Sequence, residues 1–511
     1  MRSSRVRRAV FVVIVNAAVT VGLLAVIELV CRWVEQRHLD AKLPELARML
    51  PSRAPGELRV FTFGGSSVFG MPVPELGFVA QMQYWLQRLY PDRLIRMVNY
   101  GRPGQDTAYV LSQVRRRLAD QPDLVIVITG HNEFLRSPPR GRAGRVLEFL
   151  LEHAASVRLL QWGNDRLMRG RTDIVMPCQV MAWDRDAPYF DRRLRVFEQN
   201  LQLVVQAVTE RHIPLIIGTL PSNVCDWPPV YKRLEGRDGR YRETVSRIQQ
   251  LLGESRYAEA SEALDTGLTA YPHDAMLYFL RGRMQAATGA YAEARESFVL
   301  ARDLDPMPYR ATSQINSIVR RVALGSGAPG VHLVELERVY EESAPNGLIG
   351  FDLIADNVHG TPRGEAVCAR ALLQAMSDIG FLPPHRATPD VFCAVDAFLA
   401  DMGYLDPHSE LHLRTALENA RYVMKTPFLN ADASRMYLRE AMAVDENSWK
   451  VWANLGTLSY LSGDDATAAA ELQRARELHP EPFDLDDREA TPYLKEALEF
   501  SAGRAPCSAP Y

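Results

Sequence analysis

The chain has 511 residues, too many for one ordinary domain, and is 47% hydrophobic against 24% charged, the balance of a folded globular protein. Its formal net charge of −3 excludes a large basic surface, and with it nucleic-acid or polyanion binding as the main task. Six cysteines form no C-x-x-C pair and no Cys/His spacing of a zinc site, so no metal or other cofactor is implied.

The N-terminus comes first. Arg2, Arg5, Arg7 and Arg8 precede an apolar run over residues 9–30, close to the roughly 20 residues that a membrane-spanning helix needs. A cleavable signal peptide has a shorter apolar core followed by a small-x-small site. Here Cys31-Arg32-Trp33 follows, so the run predicts an uncleaved transmembrane anchor. The leading arginines place the N-terminus in the cytoplasm and the body outside it. Disulfides among Cys178, Cys225, Cys368, Cys393 and Cys507 are allowed there, but their pairing is not legible in the spacing. Residues 31–56 read as a juxtamembrane linker ending in Pro51-Ser52-Arg53-Ala54-Pro55-Gly56.

Strands and helices then alternate. Leu58 to Phe63 is β-branched and aromatic and predicts a strand. It runs into Gly64-Gly65-Ser66-Ser67, and a helical spacing follows from Phe78 to Tyr90. A second strand, Leu94 to Tyr100, leads into Gly101-Arg102-Pro103-Gly104-Gln105 and a helix through Val110, Leu111, Val114 and Leu118. The third, Leu124 to Thr129, is continuously apolar, as a strand covered on both faces must be, and ends in Gly130-His131-Asn132-Glu133. Residues 139–190 are irregular and suggest a lid or surface insertion. A long helix from Asp191 to His212 reaches a fourth strand, Pro214 to Leu220, and a fifth is predicted over Val331 to Leu336. A loop with Asp356-Asn357-Val358-His359 and a helix from Arg363 to Met376 follow. This alternation predicts an α/β protein with a parallel sheet between helical layers.

A different pattern interrupts it. Ser255 to Ala260 resembles Gly289 to Ala294, and Pro306 follows Pro272 by 34 residues, the period of the tetratricopeptide repeat. Tyr278, Gly282, Gly289, Tyr291, Ala294, Phe298, Ala301 and Pro306 match that motif, as do Trp452, Leu455, Gly456, Gly463, Ala468, Leu472, Ala475 and Pro480. A degenerate copy is expected over 415–448. The expected division is an α/β body over 57–240 and 307–380, a repeat insertion over 241–306, a helical repeat-like domain over 390–482, and a tail over 483–511.

Four loops beyond strand ends hold chemistry-bearing residues: Ser66, Gly104, Asn132, and Asp356 with His359. A parallel sheet brings such loops to one edge. A serine hydroxyl becomes a nucleophile when a histidine oriented by a carboxylate takes its proton, and His359 with Asp356 fits that role. The backbone N–H groups of Ser66 and Gly104 and the Asn132 amide would form an oxyanion hole, each donor typically worth about 2.7–4 kcal/mol in the transition state. The plainer alternatives are a helix N-cap for Ser66, a self-held turn for Asn132 and a surface turn pair for Asp356 and His359. Ser67, next in the chain, is the competing hydroxyl. His131 and Glu133 are metal-ligand types, but no further group at ligand spacing supports a metal.

These blocks resemble the SGNH/GDSL hydrolase family. Its G-D-S-x-x-x-G block is matched by Gly64-Gly65-Ser66-Ser67-Val68-Phe69-Gly70, and its asparagine with a glycine five residues on by Asn99 and Gly104. Its G-x-N-D block is matched by Gly130 to Glu133, and D-x-x-H by Asp356 to His359. Gly65 stands where the family has aspartate, and Glu133 replaces its second acidic residue. The resemblance implies a three-layer flavodoxin-like fold and serine-ester hydrolysis through an acyl-serine at Ser66, with Asp356 and His359 catalytic. It implies an ester substrate, with an O-acyltransferase as a variant; the extracytoplasmic location expected above, and not the resemblance, points to an acylated glycan or lipid. The alternative of another class is a scaffold that binds a protein or peptide at its repeats, with a weakly active or inactive hydrolase fold.

Overall fold

The computed structural model describes residues 22–31, 33–34, 50, 52–135, 188–229, 239–383, 394–424, 430–481, 493–494 and 497–498. The chain divides into two units, Met1–Pro55 with Ser137–Met181, and Gly56–Arg136 with Ala182–Tyr511. In the first, residues 22–31 and 33–34 are helical. Residues 9–21 of the expected anchor lie outside the described residues, as do residues 139–187 of the irregular segment. Among the described residues no helix is long and apolar enough to cross a membrane.

The second unit is built on a five-stranded sheet. Its strands are β1 (Leu58–Gly64), β2 (Ile95–Asn99), β3 (Leu124–Ile128), β4 (Leu215–Gly218) and β5 (Val331–Val334), in the order β2-β1-β3-β4-β5. Every pairing is parallel. β1 and β3 are central and read as near-continuous apolar runs because helices cover both faces. From β1 the chain steps one way to β2, then back past β1 to β3. Right-handed crossovers therefore put the helices of these two connections on opposite faces.

The helices obey this. The short α1 (Ser66–Phe69) follows β1, and α2 (Phe78–Leu89) makes the first crossover. On the other face α3 (Thr107–Arg117) packs against α4 (Pro188–Thr209). Between β4 and β5 the chain leaves the sheet as α5 (Gly239–Gly253), α6 (Tyr257–Ala270), α7 (Ala275–Ala287) and α8 (Tyr291–Leu304), then returns through α9 (Ser313–Gly325), which packs on α4. After β5, α10 (Leu336–Ser343) and α11 (Pro362–Asp378) join the α2 face. Two features depart from expectation. The fifth strand stops at Val334 because α10 begins at Leu336, and α9 and α10 were not among the expected elements.

The remaining helices are α12 (Val395–Asp401), α13 (Glu410–Met424), α14 (Ala431–Val444), α15 (Trp449–Leu461) and α16 (Asp465–Leu478). They pair as α13 with α14 and α15 with α16, as α5 pairs with α6 and α7 with α8. Two pairs close by the same device. A Cβ at Gly282 would lie 2.7 Å from the Phe298 ring, and one at Gly456 would lie 2.6 Å from Leu472, so glycine lets the facing helix approach. Leu494 and Ala497, within the expected tail, are buried against Ala453, Tyr460, Ala468 and Leu472.

Candidate active site

The Ser66 loop is built by close approaches. β1 ends at Gly64, Gly65 caps α1, and Ser66 is the first residue of that helix, so Ser66 is not its N-cap. The Asn99 amide at the end of β2 donates to the Val68 carbonyl at 2.8 Å, and its side-chain oxygen accepts from the Gly101 N–H at 2.8 Å. Arg102 N–H donates to the Gly64 carbonyl at 3.1 Å. The β2 loop is thus tied across the end of β1. Asn99, placed in the second family block, locks two loops together.

Ser66 and His359, nearly 300 residues apart, meet here. Ser66 Oγ lies 2.7 Å from His359 Nε2, and His359 Nδ1 lies 2.5 Å from Asp356 Oδ2. Asp356 and His359 are 3% and 2% exposed, which rules out a surface turn pair. The other Asp356 oxygen accepts the N–H groups of Val358 at 2.7 Å and His359 at 2.8 Å, so backbone donors hold the carboxylate in place. With Asp356 accepting at Nδ1, the neutral ring carries its proton there and turns a lone pair toward Ser66. Ser67 is used otherwise: its hydroxyl donates to the Val358 carbonyl at 3.3 Å.

The loop carrying Asp356 and His359 closes on itself. Ala355 N–H donates to the His359 carbonyl at 2.7 Å, and Thr361 N–H to the Leu353 carbonyl at 2.9 Å. Thr361 then caps α11, with Pro362 in the first turn. Asn223, after β4, donates its amide to the Ile354 carbonyl at 3.2 Å, and Asn357 donates to the Tyr309 carbonyl at 3.2 Å. Buried Glu365 accepts the Phe78 N–H at 2.7 Å, fastening α11 to the start of α2.

Of the other two predicted residues, Asn132 packs against Gly65, next to Ser66 in the chain, and Gly104 adjoins the residue that Asn132 bonds. The Asn132 amide donates to the Gln105 carbonyl at 2.9 Å, and that amide has two N–H groups, so one is used to fix its plane. Gly104 immediately precedes Gln105 and has φ +70°. A Cβ at Gly65 would fall 2.6 Å from Asn132 Nδ2. The glycine that stands where the family has aspartate is therefore where the Asn132 amide packs on the backbone. Gly65→Ala is expected to displace Asn132 and lower kcat about 10–100-fold, with little change in KM, in a steady-state assay on an activated ester.

Glu133 is wholly occupied by structure. Its two oxygens accept the Thr107 N–H and hydroxyl, both at 2.9 Å, and Arg193 donates to its carbonyl at 2.8 and 3.1 Å. Burial, with the neighbouring Asp106 charge, pushes its carboxyl up to about 7. His131 accepts the Ala311 N–H on Nδ1 at 3.0 Å, and burial, then His359 and Arg302, push it down to about 3. It is a neutral ring at working pH. Among the described residues no group of three His, Cys, Asp or Glu side chains is placed to hold a metal. Arg193 and Ala311 were missed in the sequence, because contacts of such separation leave no local periodicity.

The raised Glu133 carboxyl has a consequence for stability. Its folded value lies above its unfolded value of 4.5, so its contribution is fully present below about pH 4.5 and is lost as pH rises through about 7. Glu133→Gln keeps a partner for both Thr107 groups. It should leave stability unchanged near pH 4.5 and raise it by on the order of 2 kcal/mol near pH 8, read as thermal melts of both proteins across that range.

Residues 62–254 match the model of the GDSL-like Lipase/Acylhydrolase family. No curated protein sequence matches the chain. Solved structures similar to it include LAE5, an alpha/beta hydrolase from the metagenome of Lake Arreo, Spain, at 14% identity and TM-score 0.29, covering 63% of this chain and 96% of that one. Axe2, an acetylxylan esterase from Geobacillus stearothermophilus, is 13% identical at TM-score 0.30, covering 65% and 97%. The acetyl xylan esterase AlAXEase is 13% identical at TM-score 0.30, covering 62% and 99%. The matched segment holds Ser66, Gly104 and Asn132, and Asp356 and His359 come to it from beyond the helical insertion. Residues 62–254 thus carry a GDSL-like hydrolase domain, and the protein is an ester hydrolase of the serine type.

Proposed function

We propose that the chain works through an acyl-serine intermediate on Ser66, is held at a membrane by residues 9–30 with its body on the extracytoplasmic side, and acts there on an acylated glycan or lipid. The observation that carries the chemistry is the hydrogen-bonded line from Ser66 through His359 to Asp356, at 2.7 and 2.5 Å. His359 takes the Ser66 proton as Oγ attacks the ester carbonyl, and Asp356 holds the imidazolium that forms. The Ser66 and Gly104 N–H groups and the Asn132 amide receive the oxyanion. The intermediate collapses, His359 returns its proton to the leaving alcohol, and a water repeats the sequence to release the acid. The location rests on the arginine-led apolar run, and the substrate class rests on that location. The helix pairs are read as tetratricopeptide units able to hold a peptide, supported by the shared glycine device at Gly282 and Gly456.

The test is a pre-steady-state reaction of the full chain with p-nitrophenyl acetate. A burst of p-nitrophenol stoichiometric with protein, with the acetyl group found on the Ser66 peptide, is the expected result. A chain that hydrolyses the ester with no acyl adduct at any serine contradicts the covalent route.

A further inference from the structure

The loop carrying Asp356 and His359 is covered by helices that follow the α/β part of the chain. Tyr422 on α13 stands with its ring perpendicular to the His359 imidazole, the centroids 5.0 Å apart. Tyr437 on α14 is buried and donates its hydroxyl to the Ala355 carbonyl at 2.5 Å, one residue before Asp356. Ala355 itself lies in an apolar core with Ala416, Leu417, Ala420 and Tyr437. Thr415 and Asn419 of α13 border a small cavity shared with Gly70 and Gly360, so the same helix also reaches the loop after Ser66. Tyr422, Tyr437, Thr415 and Asn419 all lie outside the four motif blocks.

We propose that the C-terminal helical region is a working part of the active site, with Tyr422 and Tyr437 as positioning residues for His359 and Asp356. The inference rests on the esterase reading above. His359 must point Nε2 at Ser66 and Nδ1 at Asp356 at once, and rotation of the ring breaks both contacts. The perpendicular Tyr422 ring blocks that rotation on the side facing α13. The Tyr437 hydroxyl holds the backbone at the loop's acidic end, where the loop has no regular secondary structure of its own. A misplacement of about 1 Å in such a group costs up to about 100-fold in rate, so losing one of two restraints is expected to cost about tenfold.

The test uses the full chain, p-nitrophenyl acetate and pH–rate profiles for the wild type, Tyr422→Ala, Tyr422→Phe and Tyr437→Phe, each with a thermal melt. Tyr422→Ala and Tyr437→Phe are expected to lower kcat about tenfold at unchanged KM and to shift the acidic limb of the profile, which a purely structural role would not move. Tyr422→Phe keeps the ring and returns the rate to within about twofold of the wild type. Wild-type kcat and profile in Tyr422→Ala and Tyr437→Phe would overturn the proposal, as would a loss at Tyr422→Ala that Tyr422→Phe does not rescue. A wild type with no turnover and no acyl-Ser66 removes the esterase reading and this inference with it. The wild-type control keeps the two failures apart.

Discussion

Ser66→Ala is expected to lower kcat/KM on an activated ester by about 10⁴-fold or more, with the residual rate left to the oxyanion donors and binding. Ser67→Ala is expected to stay within about threefold of the wild type, because the Ser67 hydroxyl donates to the Val358 carbonyl and, among the described residues, bonds no histidine. The pair of variants decides between adjacent hydroxyls. Ser66 lies 2.7 Å from His359 Nε2, within reach of a base that can take its proton. The removed group is a single oxygen in a half-buried position, so both proteins should melt close to the wild type. Equal losses in the two variants would mean that the loop, rather than one hydroxyl, matters.

The second large effect lies at Asp356. Asp356→Asn is nearly isosteric, and its amide oxygen replaces the carboxylate oxygen that accepts the Val358 and His359 N–H groups. The amide nitrogen then faces His359 Nδ1 and donates to it. That forces the ring proton onto Nε2, the wrong side for taking a proton from Ser66. The expected fall in kcat is about 10⁴-fold, with KM within a few-fold of the wild type. A fall of less than about tenfold in the same assay would show that His359 does not depend on Asp356 for its tautomer. His359→Ala should match the Asp356→Asn loss or exceed it, and the double variant should lose little more, since residues acting as a unit are not additive.

Much of this architecture was legible in the chain. The strands are largely β-branched and apolar, the first four run into glycine or polar turns, and parallel order places the loops after β1, β2 and β3 at one edge. Ser66 lies on the first of those loops and Asp356 and His359 on the loop between α10 and α11, and the structure brings the three within hydrogen-bond distance. Other features carried weaker signals. α9 has Ile315, Ile318, Val319 and Val322 at helical spacing behind a Thr312 cap, but these four core residues are all β-branched, which weakens the helical signal. α10 begins two residues after β5 with no turn residue between them, so the strand reading ran into the helix. Gly65 departs from the family pattern at a position that is neither nucleophile, base nor oxyanion donor, and the packing of the Asn132 amide against it gives a reason. Tyr422 and Tyr437 fall on helices whose apolar face is readable, but what that face packs against is a tertiary fact. Arg193, which braces Glu133, had the same kind of silence.

Fluorophosphonate labelling of the full chain, mapped by peptide mass spectrometry, tests the central claim most directly. The reagent forms a stable bond with an activated serine oxygen. The account predicts one adduct, on Ser66, that persists in Ser67→Ala and disappears in Ser66→Ala. An adduct on Ser67, or labelling that survives Ser66→Ala, would contradict it.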